Sequence, residues 1–241
     1  MTRFRLATYN VHKCKGVDWR VSIARIADVT LELKADIVAT QEILLSQAEA
    51  ISVRIAMPFT FGAARLHAGE PYGNAIFTPF PVASSEKYDI TIRKREARQC
   101  LRVSLSLTDT TCLHIFAVHL GTSFLERREQ ARRLVSTEIL QCSDLSGARI
   151  VAGDFNEWTR GLATRMLSEH FQSADIAMYL KRRTTYPGVL PFMHLDHIYY
   201  DSTFTLREMH LHRTRLALLA SDHLPLVADF DSGGGPSIPE H

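Results

Sequence analysis

Acids, amides and histidines recur where apolar runs stop. Asn10 follows Leu6-Ala7-Thr8-Tyr9, Glu42 follows Ile37-Val38-Ala39-Thr40-Gln41, and His119 follows Ile115-Phe116-Ala117-Val118. Asp154 and Asn156 follow Ile150-Val151-Ala152-Gly153, Asp196 sits in Leu195-Asp196-His197-Ile198, and Asp222-His223 precedes Leu224-Pro225-Leu226-Val227. Short apolar runs of this kind read as buried strands, and the ends of strands are where a rigid scaffold brings functional groups together. Asp154 and Asn156 are separated by one residue, so extended backbone would put both on one face. Carboxylates and carboxamides are hard oxygen donors that suit Mg²⁺ or Mn²⁺ rather than zinc. Such a cation neutralises charge on a phosphoryl group and helps ionise a water, while a histidine beside a carboxylate serves as a base or as a fixed cation.

The elements that would position these groups alternate along the chain. Strands are expected at Phe4 to Asn10, Asp36 to Thr40, Asn74 to Phe77, Val82 to Ile92, Leu101 to Leu107, Thr111 to His119, Arg149 to Gly153, His194 to Tyr200, Thr203 to His212 and His223 to Phe230. Helices are expected at Val21 to Leu33, Ser46 to Ala56, Leu125 to Leu140 and Leu162 to His170. Several strand-to-strand steps lack an intervening helix, which argues against a purely parallel sheet. Two packed sheets with helices outside fit better, an α/β layered fold.

The bulk properties agree with one soluble domain. The 241 residues are 46% hydrophobic, enough for a sizeable core. A net charge of +2 is far from that of a nucleic-acid-coating protein. Cys14, Cys100, Cys112 and Cys142 are scattered without a CxxC pair, so a zinc knuckle is not expected. No GxSxG elbow is present to support a serine nucleophile. Residues 1–10 lack the apolar stretch of a signal peptide, no run is long enough to span a membrane, and a cytoplasmic setting with free thiols is the simplest expectation. We expect one domain over residues 1–231 and a disordered Gly/Pro-rich tail over 232–241.

Seven segments in order resemble the motifs of the endonuclease/exonuclease/phosphatase superfamily, the deoxyribonuclease-I-like group. They are TYNVH (Thr8 to His12), TQE (Thr40 to Glu42), YGNAIFTPFP (Tyr72 to Pro81), AVHLG (Ala117 to Gly121), AGDFNEW (Ala152 to Trp158), LDHIYY (Leu195 to Tyr200) and SDHLPLVADF (Ser221 to Phe230). Any one is a weak signal; the ordered set is specific. The chain looks most like compact bacterial members. The resemblance implies a four-layer α/β/β/α sandwich and Mg²⁺- or Mn²⁺-dependent hydrolysis of a phosphate ester, with a small-molecule, lipid-headgroup or nucleic-acid substrate as partner.

It also implies roles. Asn10, Glu42 and Asp222 would surround the metal. Asp154 would bind or activate water, and Asn156 would hold the phosphate. His223, paired with Asp196, would contact the scissile phosphate, and His119 would bind phosphate or protonate the leaving group. Asp154 and the His223–Asp196 pair both stand as base. His12-Lys13-Cys14-Lys15 departs from members with an Asp shortly after the first Asn, so His12 and Lys13 could face phosphate instead. Asn74, Arg98 and His197 join His12 as substrate-binding candidates, with Asn74 alternatively bracing a neighbouring ligand; the bland readings are a turn residue for Asn74 and a solvated strand end for Arg98.

Two basic groups have weaker claims. Arg127, Arg128, Arg132 and Arg133 read as a solvated helix face, with a Glu129–Arg133 ion pair. Lys181-Arg182-Arg183 would border the site and grip an anion, or simply be solvated. Val189 to Met193 is a candidate lipid-contacting loop, with a buried loop as its plain alternative. Within the hydrolase reading a phosphodiesterase is favoured over a DNA nuclease, and a catalytically silent binding module would be expected to have lost a ligand or the final histidine.

Overall fold

Between Leu6 and Asn10 every side chain is buried, the pattern of a strand covered on both faces rather than on one. In the computed structural model, which describes residues 2–108, 111–157, 161–174 and 195–232, this run is β1 (Arg3–Asn10), inside a six-stranded sheet. Its companions are β2 (Ile37–Leu44), β3 (Phe59–His67), β4 (Glu70–Phe77), β11 (Phe204–Leu211) and β12 (Leu226–Ser232), in the order β11-β12-β1-β2-β4-β3. A second six-stranded sheet is ordered β5-β6-β7-β8-β10-β9. It comprises β5 (Val82–Asp89), β6 (Gln99–Thr108), β7 (Thr111–His119), β8 (Ala148–Asp154), β9 (Gln172–Ser173) and β10 (Asp196–Tyr200). Each sheet is mixed, with one parallel pair: β1–β2 and β7–β8.

Helices α1 (Ile23–Leu33), α2 (Leu45–Ile55) and α5 (Arg215–Ala220) accompany the first sheet, and α3 (Phe124–Leu134) and α4 (Leu162–Ser168) the second. Strand alternation sorts the core. On β7, Ile115 and Ala117 join the large cluster shared with the first sheet, while Phe116 and Val118 join Ala131, Leu134, Ala163 and Leu167 of α3 and α4. On β10, Ile198 and Tyr200 face inward while Tyr199 faces the outer helices. The result is the four-layer α/β/β/α sandwich.

Several boundaries differ from expectation for physical reasons. The helix expected to reach Leu140 ends at Leu134, because Val135, Ser136 and Thr137 are weak helix formers and Ser136 Oγ accepts from the Glu138 amide in a local turn. Leu134 is buried, but Arg127 is not solvated: it is buried and donates to the carbonyls of Gly121 and Thr122. Glu129 pairs with Arg132, at 3.5 Å, while Arg133 donates to Thr91 O. Val21 is exposed, since α1 starts only after Ser22, whose hydroxyl accepts from the Arg25 amide as an N-cap. Ser232 is no tail residue: it closes β12, its backbone N–H bonding Thr2 O at 2.8 Å. The remainder of the expected tail, Lys181 to Arg183 and Val189 to Met193 lie outside the described residues.

Among the described residues no helix is long and apolar enough to cross a membrane. Cys14 and Cys100 are buried, and burial pushes the Cys14 thiol up to about 12 and the Cys100 thiol up as well. Cys112 and Cys142 are half-exposed. With a thiol-disulfide reagent at neutral pH, Cys112 and Cys142 are expected to react within minutes. Cys14 and Cys100 should react only on unfolding. Peptide mapping of the labelled protein checks this, and fast labelling of Cys14 in the folded protein would contradict the burial.

Candidate functional site

The inward face of the second sheet runs from the core to an open end, and alternation carries polar groups there. His119 follows Ile115 and Ala117 on β7, Asp154 follows Ile150 and Ala152 on β8, and Asp196 precedes Ile198 and Tyr200 on β10. In the ladders His119 pairs with Asp154, and Asp154 with Asp196. From the first sheet, Asn10 ends β1, and Glu42 sits on β2 at φ 56, where the β2–β4 register slips between Thr40 and Ile43. This bulge re-aims the Glu42 carboxylate, and it is why β2 continues to Leu44 beyond the expected end at Thr40. His12, Glu42, Arg98, His119, Thr122, Asp154, Asn156, Leu195, Asp222 and His223 line one open cleft of about 370 Å³.

The side chains are locked to one another. Asn10 Nδ2 donates to Asp154 Oδ2 at 2.9 Å and to Glu42 Oε1 at 3.3 Å, while Asn10 Oδ1 accepts from the His12 amide at 3.0 Å. His223 Nδ1 lies 2.9 Å from Asp196 Oδ2, and His223 Nε2 lies 3.7 Å from Asp154 Oδ2. His119 Nε2 is 3.7 Å from Asp154 Oδ2 and 3.8 Å from Glu42 Oε1. Arg98 Nη1 is 2.7 Å from His119 Nδ1, and Arg98 Nη2 donates to Glu96 at 2.8 Å. His12 Nδ1 is 3.4 Å from Asp222 Oδ1, and Lys13 Nζ is 3.1 Å from Glu42 Oε2.

Asn156 does not share an extended face with Asp154. Asp154 Oδ1 accepts from the Asn156 amide at 2.8 Å, an Asx turn that takes Asn156 to φ 50, and Asn156 Nδ2 donates to Leu120 O. The turn still returns Asn156 to the cleft wall.

The two buried histidines are driven in opposite directions. Burial, then the adjacent Arg98 guanidinium, pushes His119 down to about 4, so it is neutral at pH 7. Burial also disfavours a charged His223, but the carboxylates of Asp196 and Asp154 outweigh it and push His223 up to about 10. Burial raises the Asp154 carboxyl, and His223 and His119 pull against it. For Glu42 burial is outweighed by the neighbouring His119 and Lys13 and by hydrogen bonds from Lys13 and Asn10, so its carboxyl lies below the usual range.

Two expected substrate contacts lie elsewhere. Asn74 is buried and donates to Ala117 O at 3.2 Å and Gln99 O at 3.4 Å, tying β4 to the second sheet beneath His119. His197 points outward, because its neighbour Asp196 points inward; it packs edge-on against Phe155 and stacks on Tyr199. Neither lines the cleft. Thr122 and Leu195, which sequence reasoning passed over, do line it, and their places directly after AVHLG and directly before Asp196 were the available signal.

The donor chemistry suits Mg²⁺ or Mn²⁺. Among the described residues no group of three or more acid, histidine or cysteine side chains is placed to hold a metal ion by itself. Mg²⁺ is ordinarily held by one or two carboxylates, waters and a substrate phosphate, and Glu42 and Asp222 offer oxygens on the cleft wall. Asn10, expected as a third ligand, has its oxygen engaged by the His12 amide and turns its NH₂ to the carboxylates.

The uncharacterized protein YbhP of Escherichia coli K12 is 26% identical over 246 residues, spanning 94% of this chain and 95% of its own. An endonuclease/exonuclease/phosphatase family protein from Bacteroides thetaiotaomicron superposes with a TM-score of 0.83 at 18% identity, covering 100% of this chain and 99% of its own. Danio rerio TDP2, solved with a single-strand DNA product, superposes with a TM-score of 0.76 at 16% identity, covering 96% of this chain and 100% of its own. At these identities the superpositions speak for the fold alone. Residues 7–223 match the Endonuclease/Exonuclease/phosphatase family profile, which includes every cleft residue, and the chain belongs to that family.

Proposed function

We propose that the protein hydrolyses phosphate esters, with a small phosphodiester as the favoured substrate and water as the nucleophile. The observation that carries this reading is the convergence of His119, Asp154, Asn156, Asp222, His223 and Glu42 from both sheets on one open cleft. Glu42 and Asp222 would hold Mg²⁺ or Mn²⁺, which when bound supplies charge neutralisation at the phosphoryl group and a more acidic water.

The chain's own groups do the rest. Asp154, flanked by the imidazoles of His119 and His223 and held by Asn10 and the Asn156 amide, takes the proton from the attacking water. Asp196 orients His223 through Nδ1, which leaves Nε2 facing the cleft to donate to a phosphoryl oxygen. Asn156 sits on the cleft wall to hold that phosphoryl group, and Asn10 steadies the Asp154 and Glu42 carboxylates against each other. His119 faces both carboxylates through Nε2 and lines the cleft, where it would bind the phosphoryl group or the leaving-group oxygen.

Cleavage of supercoiled plasmid and of bis(p-nitrophenyl) phosphate, side by side in Mg²⁺ or Mn²⁺ with a His223→Ala control, tests the reading. We expect diester cleavage that His223→Ala lowers by about 10³-fold. Plasmid nicking that depends on His223 would move the substrate to DNA. Failure to cleave either, together with a broad panel of monoesters and diesters, would remove the hydrolase reading.

A further inference from the structure

His12, Lys13 and Cys14 all have positive φ, at 44, 56 and 56, a conformation that side-chain-bearing residues rarely take three times in succession. The surroundings impose it. The His12 amide bonds Asn10 Oδ1, the Cys14 amide bonds Val11 O at 2.7 Å, the Lys15 amide bonds His12 O at 3.0 Å, and Gln47 Nε2 bonds Lys13 O at 2.8 Å. The buried Cys14 side chain anchors the far end. Left-handed turns held this firmly are expected where they aim functional groups. This one points His12 at Asp222 and Lys13 at Glu42, the two carboxylates assigned above to the divalent cation.

We propose that Lys13 is a tethered counter-ion that competes with the divalent cation for Glu42, neutralising the carboxylate when the metal is absent and leaving it when the metal binds. The proposal rests on the metal assignment of the preceding section. Its basis is geometric: the ammonium is 3.1 Å from Glu42 Oε2 and Asn10 Nδ2 donates to Oε1, so a cation that binds Glu42 is brought close to an ammonium already seated on the same carboxylate. A divalent ion and an ammonium on one carboxylate repel, and Lys13 can yield because its flexible stem leads to a partly exposed head, whereas Asn10 is buried. Lys13 also borders the Tyr72 ring, with Nζ 5.7 Å from its centre, a second resting place for the displaced charge.

Binding of Mn²⁺ followed by electron paramagnetic resonance tests this without an activity assay. Lys13→Met is expected to tighten Mn²⁺ binding by about tenfold, and Lys13→Arg to keep the wild-type affinity within about threefold. In wild-type protein, acetylation of the Lys13 amine read by mass spectrometry should speed up when Mg²⁺ is added, and this readout decides the matter if Lys13→Met fails to fold. Unchanged or weaker Mn²⁺ binding in Lys13→Met, or labelling that Mg²⁺ leaves unchanged, overturns the proposal alone. Wild-type protein that binds no Mn²⁺ overturns the metal assignment, and this proposal with it.

Discussion

Asp154→Asn is expected to lower kcat for the diester by about 10²- to 10⁴-fold, the range for loss of a general base, with little change in thermal stability. The substitution keeps the shape of the side chain. It also keeps an oxygen for the Asn156 amide, whose bond to Oδ1 forms the turn after β8. What is lost is the carboxylate between the His119 and His223 imidazoles, each 3.7 Å from Oδ2. The new amide must face Asn10 Nδ2, a mismatch costing about 1 kcal/mol, partly offset because a buried charge disappears. Because Asp154, Asp196 and His223 act as one unit, combining Asp154→Asn with His223→Ala should cost far less than the product of the single effects. A kcat within threefold of wild type, with metal saturating, would remove Asp154 as the base.

The largest stability effect is expected at Gly153, immediately before that carboxylate. Gly153 has φ 155, and a Cβ there would collide with the backbone carbonyl oxygen of Val118, its ladder partner across the parallel β7–β8 pair. Backbone, unlike the end of a long side chain, cannot swing aside. Gly153→Ala should therefore cost about 3 kcal/mol, or a fall in Tm of about 6–12 °C for a chain of this size. The strand shift that relieves the collision also moves Asp154 away from His119, its partner one step along the ladder, so activity should fall with stability. Gly69→Ala is the control: φ is 85, but nothing lies within 4 Å of the added methyl. Thermal melts of the three proteins by circular dichroism decide it, and a Gly153→Ala melt within about 2 °C of wild type would show that the ladder yields at little cost.

Much of this arrangement is legible in the sequence because the residues that carry it are buried on simple periodicities. β1, β2, β7 and β8 read as strands since each contains a short, mostly apolar run, and a polar residue at the end of such a run stands out. β3 escaped because Gly62 and the half-exposed residues of an edge strand blur the alternation. α5 escaped because six residues are too few to show a helical period. The bulge that turns Glu42 and the carbonyls that hold Asn74 come from strand pairing and sheet packing, which no local pattern encodes. His197 is different: with Asp196 facing inward, counting by one residue already sends it outward.

The two sheets draw on the chain differently. Strands β5 to β10 follow one another and make up the second sheet alone, whereas the first sheet joins β1–β4 to β11 and β12, with the Thr2 and Ser232 backbones bonded to each other. A chain emerging from the ribosome can therefore complete the sheet bearing His119, Asp154 and Asp196 while the sheet bearing Asn10 and Glu42 still lacks its closing strands. Asp222 and His223 arrive last, just ahead of β12. Under the proposed reading, a nascent or prematurely terminated chain that lacks β12 has no competent reaction centre, and hydrolysis begins only once β12 has paired with β1.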